Sequence, residues 1–542
     1  MKDKLGVFLL SSIMIAALMG GWFGGPLTAG PPLESDTSRL LKTFTAALAA
    51  VQEHYVETIP TDELIESAVR GLLRTLDPHS SFFSVSDYNR LQEEQRGRYY
   101  GLGITIRAES PGSGRVAIVE PPSPGTPAYK VGLRAGDIIS RIEGTPIDDW
   151  DLNEEVIPHL KGPKGTAVNI TIERPGEPEP IELAVIRDEI SLYTIKYVFR
   201  LDNEIGYVKV NKFSETTGEE LNQALDRLDE ESLKGLVLDL RDNPGGALSQ
   251  ALAVSDSFLR KDQLIVSTRN RNGRGREFRA DKGSEHEYPM VVLINRNSAS
   301  ASEIVSGALQ DHDRALIVGE TSFGKALVQT IFPLEGNRGL ALTTGRYLTP
   351  SNRLIQRDYS DSFYEYYLTR SDSLETEGGD YRTDSGRVVF GGGGITPDEV
   401  VRLSRYSNLV RMIGRKRLFI EFATDLVKGS IQSDIDYQLD REELLKLSDG
   451  QRRQRIEELE ITEETLRLFD DFLRDKEVDA TNGSFEENRQ VIVNRLKREV
   501  VLSLFGDEER FRIALEIDNQ LQRAIELLPE AAALMQKNTS GS

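Results

Sequence analysis

A serine and a lysine stand in two short segments of the chain whose composition suits nucleophilic catalysis. Ser300 lies in a run of small residues, and Lys325 follows a glycine. A serine hydroxyl needs a base to become a nucleophile, and a lysine amine is a sufficient base when loss of hydration lowers its pKa. Chemistry alone leaves Ser298 and Ser302 as alternative nucleophiles, because spacing does not separate the three hydroxyls.

Each segment also has a simpler interpretation. Ser300 and Glu303 match a capping box, in which both side chains satisfy backbone N–H groups at the start of a helix. Gly319–Lys325 imitates a phosphate-binding loop, but Ala326 stands where a Ser or Thr would bind Mg²⁺, which disfavours nucleotide binding. His312, between two aspartates, is a rival base for a Ser/His/Asp triad. No pair of histidines has the spacing of metal ligands, so we expect no metal and no other cofactor.

The elements around these residues predict how the serine is presented. Met290–Ile294 reads as a buried strand and Ala301–Gln310 as a helix, with Ser300 at the turn between them. The first N–H groups of such a helix are unpaired and can stabilise an anion beside the hydroxyl. Further strand candidates at 205–210, 235–240, 264–268 and 314–319, with a helix at 221–228, predict an α/β core.

A second turn carries candidate hydrogen-bond donors. Pro244, Gly245 and Gly246 follow the apolar segment 235–240 and permit a tight turn with exposed backbone N–H groups. Such donors suit an oxyanion hole, although an ordinary strand-to-helix turn has the same composition.

The two motifs together resemble those of a known enzyme family. Asn297 to Ile304, Asn-Ser-Ala-Ser-Ala-Ser-Glu-Ile, and Gly319 to Lys325, Gly-Glu-Thr-Ser-Phe-Gly-Lys, look like the carboxyl-terminal processing peptidases, which are Ser/Lys serine proteases of family S41. The resemblance implies that Ser300 is the nucleophile and Lys325 the base. It also implies that Gln329 orients the lysine, on the same face of a helix if the segment is helical.

The same resemblance implies the oxyanion donors. It assigns one to Gly245 or Gly246 and the other to Ala301. A Leu-Asp-Pro-His-Ser segment like that at residues 76–80 ends the N-terminal helical region in this family, so we interpret His79 as a structural hydrogen-bonding residue and not as a catalyst.

A second resemblance lies upstream. Tyr99 to Ile104 and Pro127 to Ile139 are similar to a PDZ domain, whose glycine loop offers N–H groups to a peptide carboxylate while the next strand pairs with the peptide. The implied ligand is an extended, apolar C-terminal tail of a protein substrate. The loop residues that would bind it are Gly101, Leu102, Gly103 and Ile104. A small β-domain with a simple glycine turn is the alternative.

The N terminus predicts export. Lys2 and Lys4 precede an uncharged, mostly apolar run from Leu5 to Phe23, which is near the length of a membrane-spanning helix. Residues 1–30 are therefore a signal peptide or a single anchor. We expect a location in the bacterial periplasm or cell envelope, with the inner membrane as the place of any anchoring.

Composition excludes several classes of function. The chain has 542 residues, which predicts several domains, and a formal net charge of -21, which argues against nucleic acid as a partner. It has no cysteine, so disulfides, thiolate metal sites, cysteine nucleophiles and a lipoprotein anchor are excluded.

These observations predict a multidomain α+β protein. After the N-terminal segment we expect a helical region at 36–98, a PDZ-like β domain at 99–188, an α/β protease core of crotonase or Clp type at 189–400, and a helical C-terminal region at 401–542. Tyr359 to Arg387 reads as an exposed loop or insertion. The C-terminal helices are candidates for homo-oligomer contacts or adaptor docking.

The predicted function is that of an exported serine endopeptidase. It would recognise C-terminal tails through the PDZ domain and cleave upstream of them with a Ser/Lys dyad, in the processing or degradation of envelope proteins. Two alternatives remain: a PDZ-bearing scaffold or holdase with an inactive protease-like domain, and acyl-CoA chemistry on a crotonase-like core.

Overall fold

The computed structural model describes most of the chain beyond the N-terminal segment. The described residues are 35–108, 115–123, 125–174, 176–201, 204–229, 232–284, 286–360, 366–367, 381–444, 446–478 and 484–540. The predicted signal peptide or anchor at residues 1–30 lies outside them. Of the helices within these ranges, none combines the length and apolarity needed to cross a membrane.

The N-terminal region joins the rest of the fold through a short strand. Its elements are α1 Ser35–His54, α2 Thr61–Leu73, β1 Ser81–Phe83 and α3 Val85–Arg96. Most of the predicted helical region at 36–98 is helical, and β1 pairs with a strand more than 250 residues later, through the register Phe82↔Leu340. The turn at residues 77–80 is thereby fixed against the protease core.

The PDZ-like segment is a small antiparallel sheet with short helices. Its elements are β2 Arg98–Gly101, β3 Ile106–Ala108, β4 Val116–Ile118, α4 Pro127–Lys130, β5 Ile138–Ile142, β6 Thr145–Pro146, a π-helical turn Leu152–Val156, α5 Ile157–Leu160, β7 Ala167–Glu173, β8 Ile181–Ile186 and β9 Asp188–Ser191. The main sheet has the order β3-β4-β5-β7-β8, and β2 pairs separately with β9. Val168, Ile170 and Ile172 alternate into the core, as the period of two in a strand requires.

The central layer of the protease core is a six-stranded sheet. The elements that build and cover it are β10 Ile195–Leu201, β11 Ile205–Val210, α6 Thr217–Leu228, β12 Gly235–Asp239, α7 Leu248–Asp256, β15 Met290–Ile294, α8 Ala301–Asp311, β16 Leu316–Gly319 and β21 Glu399–Val400. The strand order is β10-β11-β12-β15-β16-β21. All neighbours pair in parallel except β10 with β11. β12 and β15 are buried along their whole length, which is typical of parallel strands covered on both faces.

A second sheet supports the lysine segment. It contains β13 Leu264–Asn270, β14 Gly275–Arg279, β17 Leu327–Leu334 and β18 Arg338–Leu348, with β1 at one edge. β17 and β18 form a long hairpin whose pairing is irregular between Val328 and Gln329. A two-stranded ribbon, β19 Tyr381–Arg382 and β20 Val388–Val389, follows the loop after β18.

The C-terminal region is helical, as predicted, and it divides into two parts. The helices are α9 Asn408–Arg415, α10 Leu418–Lys428, α11 Arg441–Leu444, α12 Asp449–Glu458, α13 Glu463–Asp475, α14 Ser484–Glu487, α15 Arg489–Phe505, α16 Asp507–Leu515, α17 Asn519–Glu526 and α18 Leu528–Ser540. Helices α9 to α15 share an apolar core of their own, whereas α17 and α18 pack on the central sheet. The predicted multidomain α+β architecture is therefore confirmed.

Candidate active site

Ser300 stands at the turn from β15 to α8 in a strained backbone conformation. Its φ of 54° and ψ of -112° lie in a region that residues with a side chain rarely adopt. Ser298 Oγ donates to Leu240 O at 2.8 Å, and Ser302 Oγ donates to Asn243 O at 2.8 Å. These two serines fasten the turn to the segment that follows β12, and Ser300, which is 4% exposed, lies between them.

The carboxylate of Glu303 joins the serine segment to the lysine segment. Its Oε2 accepts the N–H groups of Ser300 at 2.8 Å and Lys325 at 2.9 Å. Its Oε1 accepts the Gly324 N–H at 2.6 Å and the Ser322 hydroxyl at 2.5 Å. Sequence reasoning found only the contact to Ser300, as half of a capping box, and missed the bridge.

Tyr347 makes a second bridge from β18. Its hydroxyl lies 2.8 Å from Lys325 O and 3.2 Å from Ser300 O, and the side chain is fully buried. Nothing in the sequence links this tyrosine to either segment. Together Glu303 and Tyr347 hold the backbones of Ser300 and Lys325 beside each other.

Lys325 is buried, with only 2% of the residue exposed. Burial lowers the pKa of its amine to about 7, against the carboxylates of Asp77 and Glu303, which raise it. Its Nζ donates to Gln329 Oε1 at 2.9 Å. A lysine in this environment is partly neutral near pH 7 and can accept a proton.

The prediction that Lys325 and Gln329 share a helix face is wrong, because Leu327–Leu334 is a strand. The contact still forms, since residues four apart in an extended segment also point to the same side. Gln329 Nε2 donates to His79 O at 2.6 Å, so the amide spans from the lysine to the N-terminal region. Asp77 and His79, which approach the lysine from 250 residues away, could not be placed there by local patterns.

The glycine turn lies directly against Ser300. A Cβ atom added to Gly245 would lie 2.9 Å from Ala301 N. The φ angle is 99° at Gly245 and 147° at Gly246, in the region that favours glycine. The Gly245 N–H donates to Asn243 Oδ1 at 2.9 Å and is therefore already engaged. In the part of the chain that the structure describes, the N–H groups of Gly246 and Ala301 have no acceptor. Both groups are free to face an oxyanion.

A buried ionic network lies beneath this turn. Arg241 donates to Asp239 from the same strand end, and its Nη2 lies 2.8 Å from Asp518 Oδ2. Arg241 Nη1 also donates to Gln520 Oε1 at 2.9 Å, and Tyr207 Oη donates to Asp239 at 2.6 Å. The start of α17 thus contacts the segment that leads into the glycine turn.

The residues predicted to bind a tail, Gly101 to Ile104, lie at the end of β2 and directly after it. Gly101 ends β2, and Leu102 is buried in the domain core. Gly103 has φ of 77°, and a Cβ atom there would lie 2.7 Å from Thr126 Cβ. Among the described residues nothing accepts a hydrogen bond from the N–H groups of Leu102, Gly103 and Ile104. Three consecutive donors of this kind can bind a carboxylate.

His312 is engaged elsewhere and does not serve as a base. Its Nδ1 lies 2.7 Å from Asp384 Oδ2 and its Nε2 lies 2.7 Å from Leu264 O, so neither ring nitrogen is left for a hydroxyl. Within the described ranges, His, Asp and Glu side chains do not gather in threes at a site that could hold a metal ion.

The comparisons with known proteins agree with the motifs. Peptidase family S41 matches residues 204–360, and the PDZ domain family matches residues 118–174. A carboxy-terminal-processing protease of Bartonella bacilliformis is 42% identical over 358 residues, which cover 65% of this chain and 78% of that protein.

Two further proteins are similar to this chain. The carboxy-terminal processing protease CtpA of Bacillus subtilis is 31% identical over 361 residues, which cover 66% of this chain and 76% of that protein. Among solved structures, the photosystem II D1 C-terminal processing protease is 26% identical with a TM-score of 0.36, covering 68% of this chain and 94% of that one.

Proposed function

Because this chain belongs to the carboxy-terminal processing proteases of peptidase family S41 and is a serine-type peptidase with a PDZ domain, we propose that it cleaves peptide bonds with Ser300 and Lys325 as a catalytic dyad. The observation that carries the proposal is the burial of Lys325, with an amine pKa of about 7, on a segment that Glu303 ties to Ser300. A base must titrate near the working pH to accept and return a proton efficiently.

In the first half of the reaction, neutral Lys325 takes the Ser300 hydroxyl proton while Oγ bonds to the scissile carbonyl carbon. The N–H groups of Gly246 and Ala301 stabilise the resulting oxyanion. Gly245 supports this site by its contact with the serine turn and not as a donor. The lysine ammonium then protonates the leaving amine as the C–N bond breaks, which leaves an acyl-enzyme.

In the second half, a water gives its proton to Lys325 and its oxygen attacks the acyl carbon. The bond from carbon to Ser300 Oγ breaks, the serine regains its proton, and the new carboxyl terminus departs. Gln329 orients the amine in both halves through its 2.9 Å hydrogen bond.

Substrate selection is proposed to begin at the PDZ domain. The N–H groups of Leu102, Gly103 and Ile104 would bind the terminal carboxylate of an extended, apolar tail, and cleavage would follow upstream of it. The run of apolar residues from Leu5 to Phe23 after Lys2 and Lys4 supports export, which would make envelope proteins the substrates.

The test is cleavage of an unfolded protein with an apolar C terminus by the wild type, Ser300→Ala and Lys325→Ala. Ser306→Ala is the matched control, because this serine lies six residues beyond Ser300 and its hydroxyl donates to Ser302 O within α8. We expect loss of cleavage in the first two variants only, with all four proteins equally folded by circular dichroism. Equal cleavage by Lys325→Ala would refute the dyad, and binding of the tail without cleavage by the wild type would favour the scaffold alternative.

A further inference from the structure

Two tyrosines from the segment after β18 contact the turn that precedes β1. Tyr366 Oη lies 2.7 Å from His79 Nε2, and Tyr367 Oη donates to Pro78 O at 3.1 Å. Both contacts join positions almost 290 residues apart in the chain. The tyrosines thus fasten the turn to a segment distant in the chain.

The turn at 77–80 is held together by hydrogen bonds to the Asp77 carboxylate. Asp77 Oδ1 accepts the N–H groups of His79 and Ser80, each at 2.8 Å. Asp77 Oδ2 accepts the Ser80 hydroxyl at 2.7 Å. We therefore expect a shift of the His79 ring to displace the His79 carbonyl as well.

That carbonyl fixes which way the Gln329 amide faces. A carbonyl oxygen can accept only from the NH₂ end of an amide, and His79 O accepts from Gln329 Nε2 at 2.6 Å. The oxygen end of the amide must then face Lys325, whose Nζ donates to it at 2.9 Å. In this hydrogen bond the amine donates one N–H to Gln329 Oε1. The lone pair of the neutral amine must then point away from Gln329.

Aromatic rings close this side of the lysine pocket. The ring centroids of His79, Phe323, Tyr366 and Tyr367 are 5.0 to 6.5 Å apart. The Arg357 guanidinium lies 5.1 Å from the Phe323 centroid and 5.6 Å from that of Tyr366. We refer to these four rings as the aromatic cluster. His79 and Gln329 are both buried on this side.

We propose that Tyr366 is a positioning residue for the general base: its hydroxyl holds the His79 ring, the 77–80 turn holds Gln329, and Gln329 holds the amine of Lys325. The inference rests on the proposed function of Lys325. Tyr366 acts through other groups and need not touch the substrate. Within the described part of the chain, the His79 ring makes its hydrogen bond to Tyr366 Oη through Nε2, whereas its buried Nδ1 makes none.

The substitution that tests the role is Tyr366→Phe, which removes the hydroxyl and keeps the ring in the aromatic cluster. Tyr359→Phe is the matched control, because that ring packs 6.1 Å from Tyr366 and its hydroxyl makes no hydrogen bond to the turn. For Tyr366→Phe we expect kcat to fall about tenfold with KM nearly unchanged, because misplacement of a catalytic group slows chemistry and spares binding.

The pH dependence separates positioning from a general loss of structure. The groups that act on the Lys325 charge are Asp77, Glu303 and His79. A loosened turn would admit water and weaken the effect of burial on the pKa of Lys325, which is its largest cause. The acidic limb of kcat/KM against pH should therefore move to higher pH in Tyr366→Phe, by about half a unit or more, and stay in place in Tyr359→Phe.

The rate at which a fluorophosphonate labels Ser300 gives a second, single-turnover readout. We expect labelling to slow and its pH profile to shift in Tyr366→Phe in the same way as turnover. Profiles that superimpose on the wild type at equal folding would overturn the positioning role and leave the dyad intact. If Lys325→Ala is labelled as fast as the wild type, or if the wild type is not labelled, the dyad itself fails and the inference fails with it.

Discussion

Replacing Glu303 by glutamine would keep the shape of the side chain that joins Ser300 to Lys325 and remove its charge. Glu303 is fully buried and accepts four hydrogen bonds, two on each carboxylate oxygen. Burial raises the pKa of this carboxyl, and the four hydrogen bonds lower it. Three of the four partners are backbone N–H groups, which can only donate, so the site favours the ionised carboxylate.

The expected cost follows from the geometry of the four bonds. A glutamine has one oxygen and one NH₂ group. With the NH₂ in the place of Oε1, the Ser322 hydroxyl can turn to accept from it, but the Gly324 N–H would face another donor. A hydrogen bond to a charged group contributes about 1.5–3 kcal/mol, so Glu303→Gln should reduce the free energy of unfolding by at least about 1.5–3 kcal/mol. A typical domain has only about 5–15 kcal/mol in total, and the loss should be large in urea denaturation at pH 7.

The same substitution should make Lys325 easier to deprotonate. The Glu303 carboxylate raises the pKa of the Lys325 amine, so its removal should lower that pKa below about 7. In folded protein at low temperature, the acidic limb of kcat/KM should then move to lower pH. Loss of the Glu303 charge would thus lower both the free energy of unfolding, measured in urea, and the pKa of Lys325, measured from the pH profile of kcat/KM.

A suitable control is Glu320→Gln in the same segment, since this carboxylate makes no hydrogen bond in the described part of the chain. We expect that variant to differ from the wild type by less than about 0.5 kcal/mol. The reasoning would be refuted if Glu303→Gln were as stable as the control and kept the wild-type pH profile, because the bridge would then carry neither the stability nor the charge assigned to it.

Four further predictions concern Lys325, the start of α17 and the PDZ loop. The acidic limb of kcat/KM should lie near pH 7 and vanish with activity in Lys325→Arg, whose guanidinium stays protonated. Because the folded-state pKa of this lysine lies below its unfolded value, its contribution to stability should rise with pH from about 7 to about 10, measured as the difference in unfolding free energy from Lys325→Met. Asp518→Asn keeps a cap for α17 but weakens the ion pair with Arg241. We expect a several-fold lower kcat with little change in KM. An unchanged kcat would show that the Arg241 network does not support the glycine turn at Gly246. A substrate whose terminal carboxylate is amidated should show a KM about tenfold higher if the loop around Gly103 binds that charge, and an equal KM would exclude it.

Local signals in the sequence were sufficient for the strand, turn and helix that carry the serine. The predicted bounds Met290–Ile294 are those of β15, and the helix begins at Ala301 as expected. The signals were sufficient because an apolar run, a turn of small residues and an amphipathic helix follow one another directly. The helical assignment after Lys325 failed because spacing by four residues fits one face of a helix and one face of a strand equally well.

The contacts that complete the site come from distant positions. Asp77, Tyr347 and Tyr366 reach the lysine environment through sheet pairing and loop packing, and one sequence contains no pattern that matches them to Lys325. The capping box correctly predicted the contact between Glu303 and Ser300. It did not predict the contacts to the lysine segment, because a cap uses one of the four acceptor positions of a carboxylate and leaves three for other donors. Buried polar residues with unused hydrogen-bonding capacity are where sequence reasoning was incomplete.

The last part of the chain is necessary to the protease core because of how the central strands are buried. Leu236 and Leu238 of β12 face the layer that contains α6, α7 and α8, whereas Val237 faces α17 and α18. A Cβ atom on Gly235 would lie 2.8 Å from a Leu528 methyl group, so α18 is in van der Waals contact with the strand. Without these helices one face of the sheet would be exposed, and Arg241 would lose Asp518 and Gln520. The apolar runs of the central strands therefore require a second covering layer, and the residues that supply it also support the turn in which Gly246 faces the proposed oxyanion.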